Sequence, residues 1–365
     1  MEIEKNNYPE LIENKFEFKI SKGQKPIRLD AFLTNSIHNA SRNKVQLSIE
    51  AGNVLVNGEK KKASYKINPS DEITCIVRQL PPIELVPEDI HIDIIYEDEH
   101  LLVINKAAGI CVHPGVGNRY GTLINALLFY FGYRENISFN VDENLDDSEI
   151  NFNNQFQNSD NIIHNSNNIR PGLVHRIDKN TSGLLVIAKN QLVHNNLAQQ
   201  FANKTTEREY YAIVWGKPKF EYIRIEGNIG RSNKDRTSFA VLYKDGKPAI
   251  TDCWVAERFV YTSLLKFRLL TGRTHQIRVH SGSIGHKLFG DERYGGNIIL
   301  NGKENPQWRN IATKLLASHP RQMLHAKTLG FVHPITKENM LFSSDLPADM
   351  LSVIETMRDF SCAGC

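Results

Sequence analysis

The chain has 365 residues, of which 41% are hydrophobic and 23% are charged, and its formal net charge at pH 7 is +3. This length is typical of about two domains, and the apolar fraction is sufficient for a proper core. The N-terminal segment is polar and acidic, unlike a signal or transit peptide, and no apolar run approaches the ~20 residues that cross a bilayer. We therefore predict a soluble, cytoplasmic protein with no membrane partner.

The charge of the chain is unevenly distributed. Between Ser21 and Lys66 nine basic residues face three acidic ones, whereas between Arg134 and Asn168 one base faces seven acids. The acidic segment therefore masks an otherwise basic chain.

Five cysteines are scattered along the chain, and an odd number without a regular spacing is typical of reduced thiols. Cys362 and Cys365 form a C-x-x-C pair, which could be half of a zinc site or a redox pair. Because the pair stands alone at a chain end, we expect no functional role for it.

The N-terminal part of the chain shows a helix–helix–hairpin pattern. Apolar residues at 29, 32, 33 and 37 share one helical face, and Ser41 is a suitable N-cap for a second helix. Asn57-Gly58 then predicts a tight hairpin turn. The Lys60–Lys62 run at this hairpin has two interpretations, a solvated tip or contacts with nucleic-acid phosphates.

The composition divides the chain into segments. We predict a loose leader at 1–16, a small domain at 17–78, a semi-rigid proline-containing linker at 79–90 and a larger domain at 91–360. Within the larger domain, residues 134–168 include eleven asparagines and little periodicity, which predicts a disordered or loosely ordered surface insertion.

The most informative stretch is RPGLVHRIDKNTSGLLVIAK, which begins at Arg170. Its two apolar runs predict strands, and the polar segment between them predicts a turn. Asp178 follows the first run at once and has His175, Arg176 and Lys179 as neighbours. We therefore expect an ionised carboxylate that is held in place. Taken alone, Asp before Asn-Thr-Ser-Gly is also ordinary turn chemistry.

Two further stretches attract attention. Residues 207–216 predict a strand with adjacent tyrosines, Tyr210 and Tyr211, and alternation places one toward the core and the other toward solvent. The segment TGRTHQIRVH contains His275 and His280. Read as a strand, their spacing places them on opposite faces, and no Cys/His quartet accompanies them, which disfavours a metal site.

These stretches resemble a known family. HRIDKNTSGLL closely resembles the signature of RluA/RluD-type pseudouridine synthases, and the segments at 105–115, 207–216, 271–280 and 324–334 resemble further motifs of that family. The N-terminal pattern resembles the S4 RNA-binding module. The long insertion departs from the family, which usually crosses this region in fewer residues.

The resemblance implies an α+β fold, in which an S4 module precedes a catalytic domain with a largely antiparallel mixed sheet. It implies isomerisation of uridine to pseudouridine, with Asp178 as the catalytic carboxylate, Arg273 as its cationic partner and Tyr210 as stacking platform and proton acceptor or relay. No redox step or activated water is needed, so no cofactor and no metal are expected. The residues that we expect to contact RNA are Arg28, Arg42, Lys44, Lys60, Lys61, Lys62 and Arg176.

We expect a monomer that acts on structured RNA, namely 23S-type large-subunit ribosomal RNA or its precursor. One alternative is a non-catalytic RNA-binding protein that retains the fold. Another is a nucleoside or glycoside hydrolase, which usually needs two carboxylates flanking the bond. The sequence leaves open which uridine is modified, and whether Asp178 attacks C1′ or removes the 2′ proton.

Overall fold

The computed structural model describes residues 12–37, 40, 42–79, 83–115, 118–139, 172–235 and 237–363. They form two compact units, which divide between residues 82 and 83.

The first unit is a four-stranded antiparallel sheet with two helices, and the predicted helix pair and hairpin are confirmed. The sheet order is β1-β4-β2-β3. The elements are β1 Ile12–Lys19, α1 Leu29–Ser36, α2 Arg42–Glu50, β2 Val54–Val56, β3 Glu59–Lys60 and β4 Glu72–Gln79. Asn57 and Gly58, with φ of 51° and 80°, make the two-residue turn between β2 and β3.

The core of this unit follows from the spacing of its apolar residues. Leu29 and Leu33 of α1 and Val45 and Ile49 of α2 are four residues apart, so each pair lies on one helical face, and all four are buried against the sheet. The N-cap expected at residue 41 lies outside the described residues.

The predicted leader is wrong for residues 12–16, which belong to β1. Charged residues at 13, 15, 17 and 19 are exposed and alternate with Phe16 and Phe18, which pack on the core. This alternation marks a half-buried strand, and β1 pairs with β4 along its whole length. The rest of the predicted leader lies outside the described residues.

The second unit is built on an eleven-stranded sheet of order β13-β12-β14-β15-β11-β16-β10-β7-β6, with β17 beside β16 and β9 beside β10. Its strands are β6 Ile94–Glu97, β7 Leu101–Lys106, β9 Gly172–Leu173, β10 Ser182–Ala188, β11 Glu207–Trp215, β12 Tyr222–Arg231, β13 Phe239–Leu242, β14 Lys247–Arg258, β15 Thr262–Leu269, β16 Leu324–Val332 and β17 Asn339–Ser343. A separate ribbon pairs β5 Ile83–Leu85 with β8 Ile137–Phe139. The helices are α3 Leu123–Tyr130, α4 Gln191–Ala202, α5 Gln276–Ser283, α6 Pro306–Ser318 and α7 Ala348–Ala363.

The β5–β8 ribbon corrects two predictions. Residues 83–85 lie in the segment predicted as a linker, yet Leu85 is buried against Ile124 and Leu128 of α3. Residues 137–139 lie in the predicted loose insertion, yet they form β8. Residues 140–168 of that insertion lie outside the described residues.

The large sheet is covered on both faces. Tyr210, Ala212 and Val214 of β11 belong to one core cluster, while Ile213 and Trp215 point to the opposite face. That second face is covered by α6 and α7, and Tyr211 packs against the same cluster. The expectation that alternation leaves one tyrosine toward solvent is therefore wrong, because helices that are distant in sequence return to cover this face.

The turn that contains Asp178 leads into β10, which lies very close to β16. β10 pairs with β16 in parallel, whereas its pairing with β7 is antiparallel, so the sheet is mixed but largely antiparallel as predicted. Gly183, at the start of β10, has φ of 119°, and a Cβ there would lie 2.2 Å from the carbonyl oxygen of Ala326. A side chain at this position would therefore push β16 away.

Two observations complete the description. No helix of the described residues combines the length and the apolar character that a membrane span requires. Cys75, Cys253 and Cys362 are free thiols, as predicted, whereas Cys365 lies outside the described residues.

Candidate active site

A cavity of about 460 Å³ opens in the second unit beside the turn that contains Asp178. Its lining comes from residues 173–178, from Arg208 and Tyr210 of β11, and from residues 271–278 before and within α5. Segments that are distant in sequence therefore converge at one place. The volume is within the range of small-molecule sites.

The turn that carries Asp178 is braced by the 105–115 segment. The Thr181 amide donates to the Asp178 carbonyl at 3.0 Å, which closes the turn. The buried Lys106 ammonium donates to the Lys179 carbonyl at 3.0 Å and to two carbonyls of its own loop, while the Gly109 amide donates to the same Lys179 oxygen at 2.9 Å. Satisfied buried hydrogen bonds of this kind hold the Asp178 backbone in one position.

The cation that binds Asp178 is Arg278, on α5. Its Nη1 lies 2.9 Å from Oδ2 of Asp178, while its Nε and Nη2 form a two-pronged pair with Asp291 at 2.7 and 2.8 Å. The guanidinium also lies 4.8 Å from the centre of the Tyr294 ring. Arg278 and Asp291 are buried, so this charge network has little freedom to rearrange.

The environment keeps Asp178 ionised. Burial by itself raises the pKa of Asp178, but His275, which is charged in the acid range where Asp178 titrates, together with the charge and the hydrogen bond of Arg278, lowers that pKa below its ordinary value. Burial lowers the pKa of His275 to about 4, so this imidazole is neutral at neutral pH. Arg278 is therefore the contacting cation that holds the carboxylate charged under those conditions.

The segment 271–275 is a tight loop, and the strand expected there is wrong. The Gln276 side chain accepts hydrogen bonds from the Arg273 amide at 3.0 Å and the Thr271 hydroxyl at 2.7 Å. His275 has φ of 54°, a left-handed conformation that side chains rarely adopt, and α5 begins at the next residue. His275 Nδ1 lies 2.8 Å from the Tyr294 hydroxyl, and this contact fixes the imidazole.

The prediction that Arg273 pairs with Asp178 is wrong. Arg273 is half-buried and lines the cavity, but its Nε donates to the Pro248 carbonyl at 3.0 Å, and Asp178 pairs with Arg278 instead. The loop ends at His275 and the chain continues as a helix, so the inward-facing arginine is Arg278, one helical turn after the loop.

Tyr210 and Tyr211 differ as the resemblance implied, with Tyr210 at the cavity. Tyr210 is 7% exposed, and no described residue hydrogen-bonds to its hydroxyl. Burial raises the pKa of Tyr210, so the phenol stays protonated at neutral pH. Tyr211 packs on the opposite face of the sheet.

Comparison with known proteins agrees with this arrangement. A family model described as RNA pseudouridylate synthase matches residues 100–283, and an S4 domain model matches residues 27–73. The chain is 46% identical over 345 residues to an RNA pseudouridine synthase of Chlorobaculum parvum. The matched region covers 93% of this chain and 96% of that relative. The chain belongs to the RNA pseudouridine synthase family.

The chain is also similar to a synthase named for the ribosomal large subunit and to a solved structure of the same family. It is 37% identical to ribosomal large subunit pseudouridine synthase D of Zymomonas mobilis, over 88% of this chain and 91% of that protein. A solved structure, human RNA pseudouridylate synthase domain containing 4, matches with a TM-score of 0.51 and 19% identity, over 73% of this chain and 93% of that one. This last similarity shows the fold alone.

The synthase uses several of its expected RNA-binding residues within its own fold. Arg28 donates to both carboxylate oxygens of the buried Asp30 at 2.9 Å, and Arg42 donates to Oδ2 at 3.2 Å. The hydrogen bonds from Arg28 lower the pKa of Asp30 well below its ordinary value. Lys61 pairs with Glu59 at 2.7 Å. Arg28, Arg42 and Lys61 therefore have structural contacts as well as exposed surface.

The other expected contacts are exposed or fall outside the described residues. Lys60 and Lys62 are exposed, and no described residue pairs with either. Arg176 is exposed and lines the cavity beside Asp178. The side chain of Lys44 lies outside the described residues.

Sequence reasoning missed three residues that shape the site. Arg278 lies between Ile277 and Val279, and Lys106 ends the apolar run of β7. A charged residue inside an apolar segment is a usable signal, because burying a charge is costly unless it has partners. Asp291, the second partner of Arg278, carries no local signal that distinguishes it from other acidic residues in loops.

Proposed function

We propose that this synthase isomerises uridine in large-subunit ribosomal RNA and that Asp178 is the carboxylate that works at the ribose. The observation that carries the proposal is the pairing of a cavity-lining Asp178 with the buried Arg278 at 2.9 Å. A carboxylate that is charged, aimed and only 21% exposed is suited to attack C1′ or to remove the 2′ proton.

Two findings support the RNA class. The S4 match at residues 27–73 supports an RNA partner, and a relative that is 37% identical is named for the ribosomal large subunit. The target uridine must leave its stack to reach a cavity of this kind, which is least costly in loops and bulges. Monomeric state and cytoplasmic location remain predictions.

The chemistry needs few protein groups. The bond between C1′ and N1 of uracil breaks, the freed base turns, and a new bond joins C1′ to C5. A proton then leaves C5. Tyr210 stacks against the base, and its hydroxyl, which makes no hydrogen bond to a described residue and is protonated at neutral pH, relays that proton by giving up its own as it accepts the one from C5. N1 of the uracil gains a proton, so the product has the mass of uridine. Either route for Asp178 is compatible with this scheme.

The cavity disfavours the hydrolase alternative. Among the described residues that line it, Asp178 is the one carboxylate. Glycoside hydrolysis usually places two carboxyl groups about 5 to 10 Å apart across the bond. A single carboxylate paired with arginine matches base isomerisation better than hydrolysis.

The proposed function is tested by analysis of the product. The purified chain is incubated with ribosomal RNA fragments whose uridines carry tritium at C5, and the RNA is digested and its nucleosides separated. Tritium release together with a nucleoside isomer of unchanged mass supports the proposal, and mapping the isomer identifies the target uridine. Released uracil would favour a hydrolase, and unmodified RNA would favour a binding protein.

Tyr210→Phe separates packing from proton transfer. The change keeps the ring that fills the core, so folding and RNA affinity should be retained, because stacking needs no hydroxyl. If the hydroxyl moves the C5 proton, the single-turnover rate should fall by roughly 10²- to 10⁴-fold. Tyr211→Phe is the matched control on the opposite face and should leave the rate near that of the wild type. Equal rates for both variants would remove Tyr210 from the proton transfer.

Replacing both Lys60 and Lys62 with alanine tests phosphate contact by the S4 module. Because both are exposed and unpaired among the described residues, folding should be unaffected. If they neutralise phosphates, affinity for RNA should fall and the slope of log affinity against log salt should flatten by about 1 to 2. Lys314→Ala, an exposed lysine on α6, is the control. An unchanged slope in the double variant would leave these lysines as a solvated hairpin tip.

A further inference from the structure

Arg208 is a buried cation that the site described so far does not use. It lies on β11 two residues before Tyr210, so both side chains face the cavity. It is 7% exposed, and its hydrogen bond from Nη2 to the Leu269 carbonyl is long at 3.4 Å. Its Nε is buried without a hydrogen-bond partner among the described residues. Folding therefore leaves part of the hydrogen-bonding capacity of this guanidinium unused, together with its positive charge.

This arrangement opposes stability. No described carboxylate pairs with Arg208, and its other neighbour is the Phe201 ring, whose centre lies 5.5 Å from the guanidinium carbon. Burial lowers the pKa of Arg208, yet a guanidinium remains charged at neutral pH. A buried cation without a matching anion is costly, and such violations are expected where a ligand later supplies the missing partner.

The surroundings leave access to this guanidinium. A Cβ at Gly272 would lie 2.9 Å from Nη1 of Arg208, so glycine keeps open the space next to the charge. On the other side, the His175 ring stacks on the Phe201 ring with centres 4.4 Å apart, and this pair forms one side of the cavity. Burial and the nearby Arg208 lower the pKa of His175 to about 3, so His175 is neutral.

The charge of the cavity points to an anion. Its lining contains five cationic side chains and one carboxylate, and that carboxylate already pairs with Arg278. The five are Arg176, Lys204, Arg208, Arg273 and Arg278. Excess positive charge in a concave, partly apolar site creates a positive potential there, and this potential attracts a negatively charged ligand.

We infer that Arg208 binds a backbone phosphate next to the target uridine, an assignment that rests on the proposed function. Two residues along a strand span about 7 Å, which is comparable to the distance from a stacked base to its own phosphate. A base over Tyr210 therefore leaves a phosphate within reach of Arg208. The phosphate supplies the anion that the cavity lacks. Tyr210 then contacts the base of the bound nucleotide, and Arg208 contacts its phosphate.

Arg208→Met tests this assignment, because methionine fills similar volume without charge. RNA affinity should fall by about 10- to 100-fold, as expected for lost hydrogen bonds to a charged group. The slope of log affinity against log salt should flatten by about 0.7 to 1. The melting temperature of the free protein should stay the same or rise, since a buried unpaired charge is removed. Arg268→Met, an exposed arginine on β15 outside the cavity, should change none of these.

A modified RNA identifies the phosphate itself. Once the target uridine is mapped, a neutral methylphosphonate replaces each flanking phosphate in turn. One substitution should weaken binding to the wild type but have little further effect on Arg208→Met, because both changes remove the same contact. Arg208→Lys keeps the charge and should retain the salt slope with intermediate affinity.

Several results would overturn the assignment. These are an unchanged affinity and slope in Arg208→Met, additive losses with every methylphosphonate, or a fall in rate alone with binding intact. A large drop in melting temperature would make Arg208 a structural residue. Affinity measurements need no turnover, so a wild type that binds RNA but forms no pseudouridine would count against the proposed function and leave the Arg208 test standing.

Discussion

Asp178→Asn should abolish pseudouridine formation, with a loss of roughly 10⁴-fold or more, while RNA affinity stays within a few-fold of the wild type. The change removes the negative charge at nearly constant shape, so the turn closed by Thr181 and braced by Lys106 should persist. An amide can neither attack C1′ nor accept the 2′ proton effectively, and removal of a reacting group typically has an effect of this size. Single-turnover assays and binding titrations measure the two quantities separately.

Asp291→Asn is a control for this variant, because Asp291 also binds Arg278 but is not among the residues that line the cavity. It should lower stability more than Asp178→Asn does, because Asp291 is 1% exposed and pairs through both oxygens. Normal turnover by purified Asp178→Asn would remove this carboxylate from the reaction.

Arg278→Gln should have the second largest effect, on both stability and rate. Removing a buried cation that pairs with two carboxylates leaves both unpaired, which typically costs about 3 to 5 kcal/mol of unfolding free energy. The single-turnover rate should fall steeply as well, because Asp178 loses the group that holds it charged and aimed. Arg273→Gln is the matched comparison: it alters a half-buried arginine of the same region that bonds to the Pro248 carbonyl rather than to Asp178, and it should fold normally with a much smaller loss of rate.

The pH dependence of Arg278→Gln provides an independent readout. In the wild type the pKa of Asp178 is below its ordinary value, so the carboxylate contributes stability above its unfolded pKa and loses that contribution as pH falls through the folded pKa. Without Arg278, burial dominates and the pKa of Asp178 should rise. In the wild type the acid limb of the rate profile lies below the ordinary aspartate pKa of about 4, so a profile measured from about pH 3 to pH 8 should show the limb of the variant at higher pH. A limb at the wild-type position would show that another group holds Asp178 ionised.

The sequence was sufficient for the features that depend on local pattern. The helix pair of the first unit follows from apolar residues four apart, and its hairpin follows from Asn57-Gly58. Thr122 and Asn190 cap α3 and α4 through equally local contacts, because each side chain accepts a hydrogen bond from the backbone amide three residues later. Short-range geometry determines all of these.

The same reasoning failed where a second segment decides the outcome. Residues 83–85 and 137–139 lack the pattern of a strand on their own, and only their mutual pairing beside α3 makes them one. Alternation alone predicts that one of Tyr210 and Tyr211 faces solvent, but α6 and α7, far along the chain, return to cover the second face of the sheet, and Tyr211 packs there. Tertiary contacts override local preference in such segments.

At the site, the sequence by itself placed Asp178 among cations in the turn before β10 and Tyr210 in a buried strand. The strand predicted over residues 173–177 is confirmed only at Leu173, because β9 ends there and residues 174–178 continue without regular structure. Only the tertiary structure decided which arginine meets Asp178. The loop ends at the left-handed residue His275 and α5 begins at the next residue, so Arg278 reaches Asp178, whereas Arg273 lines the cavity but bonds to the Pro248 carbonyl. Likewise, the unsatisfied charge of Arg208 exists only after folding, because it depends on burial and on the space that Gly272 leaves, neither of which spacing along the chain encodes.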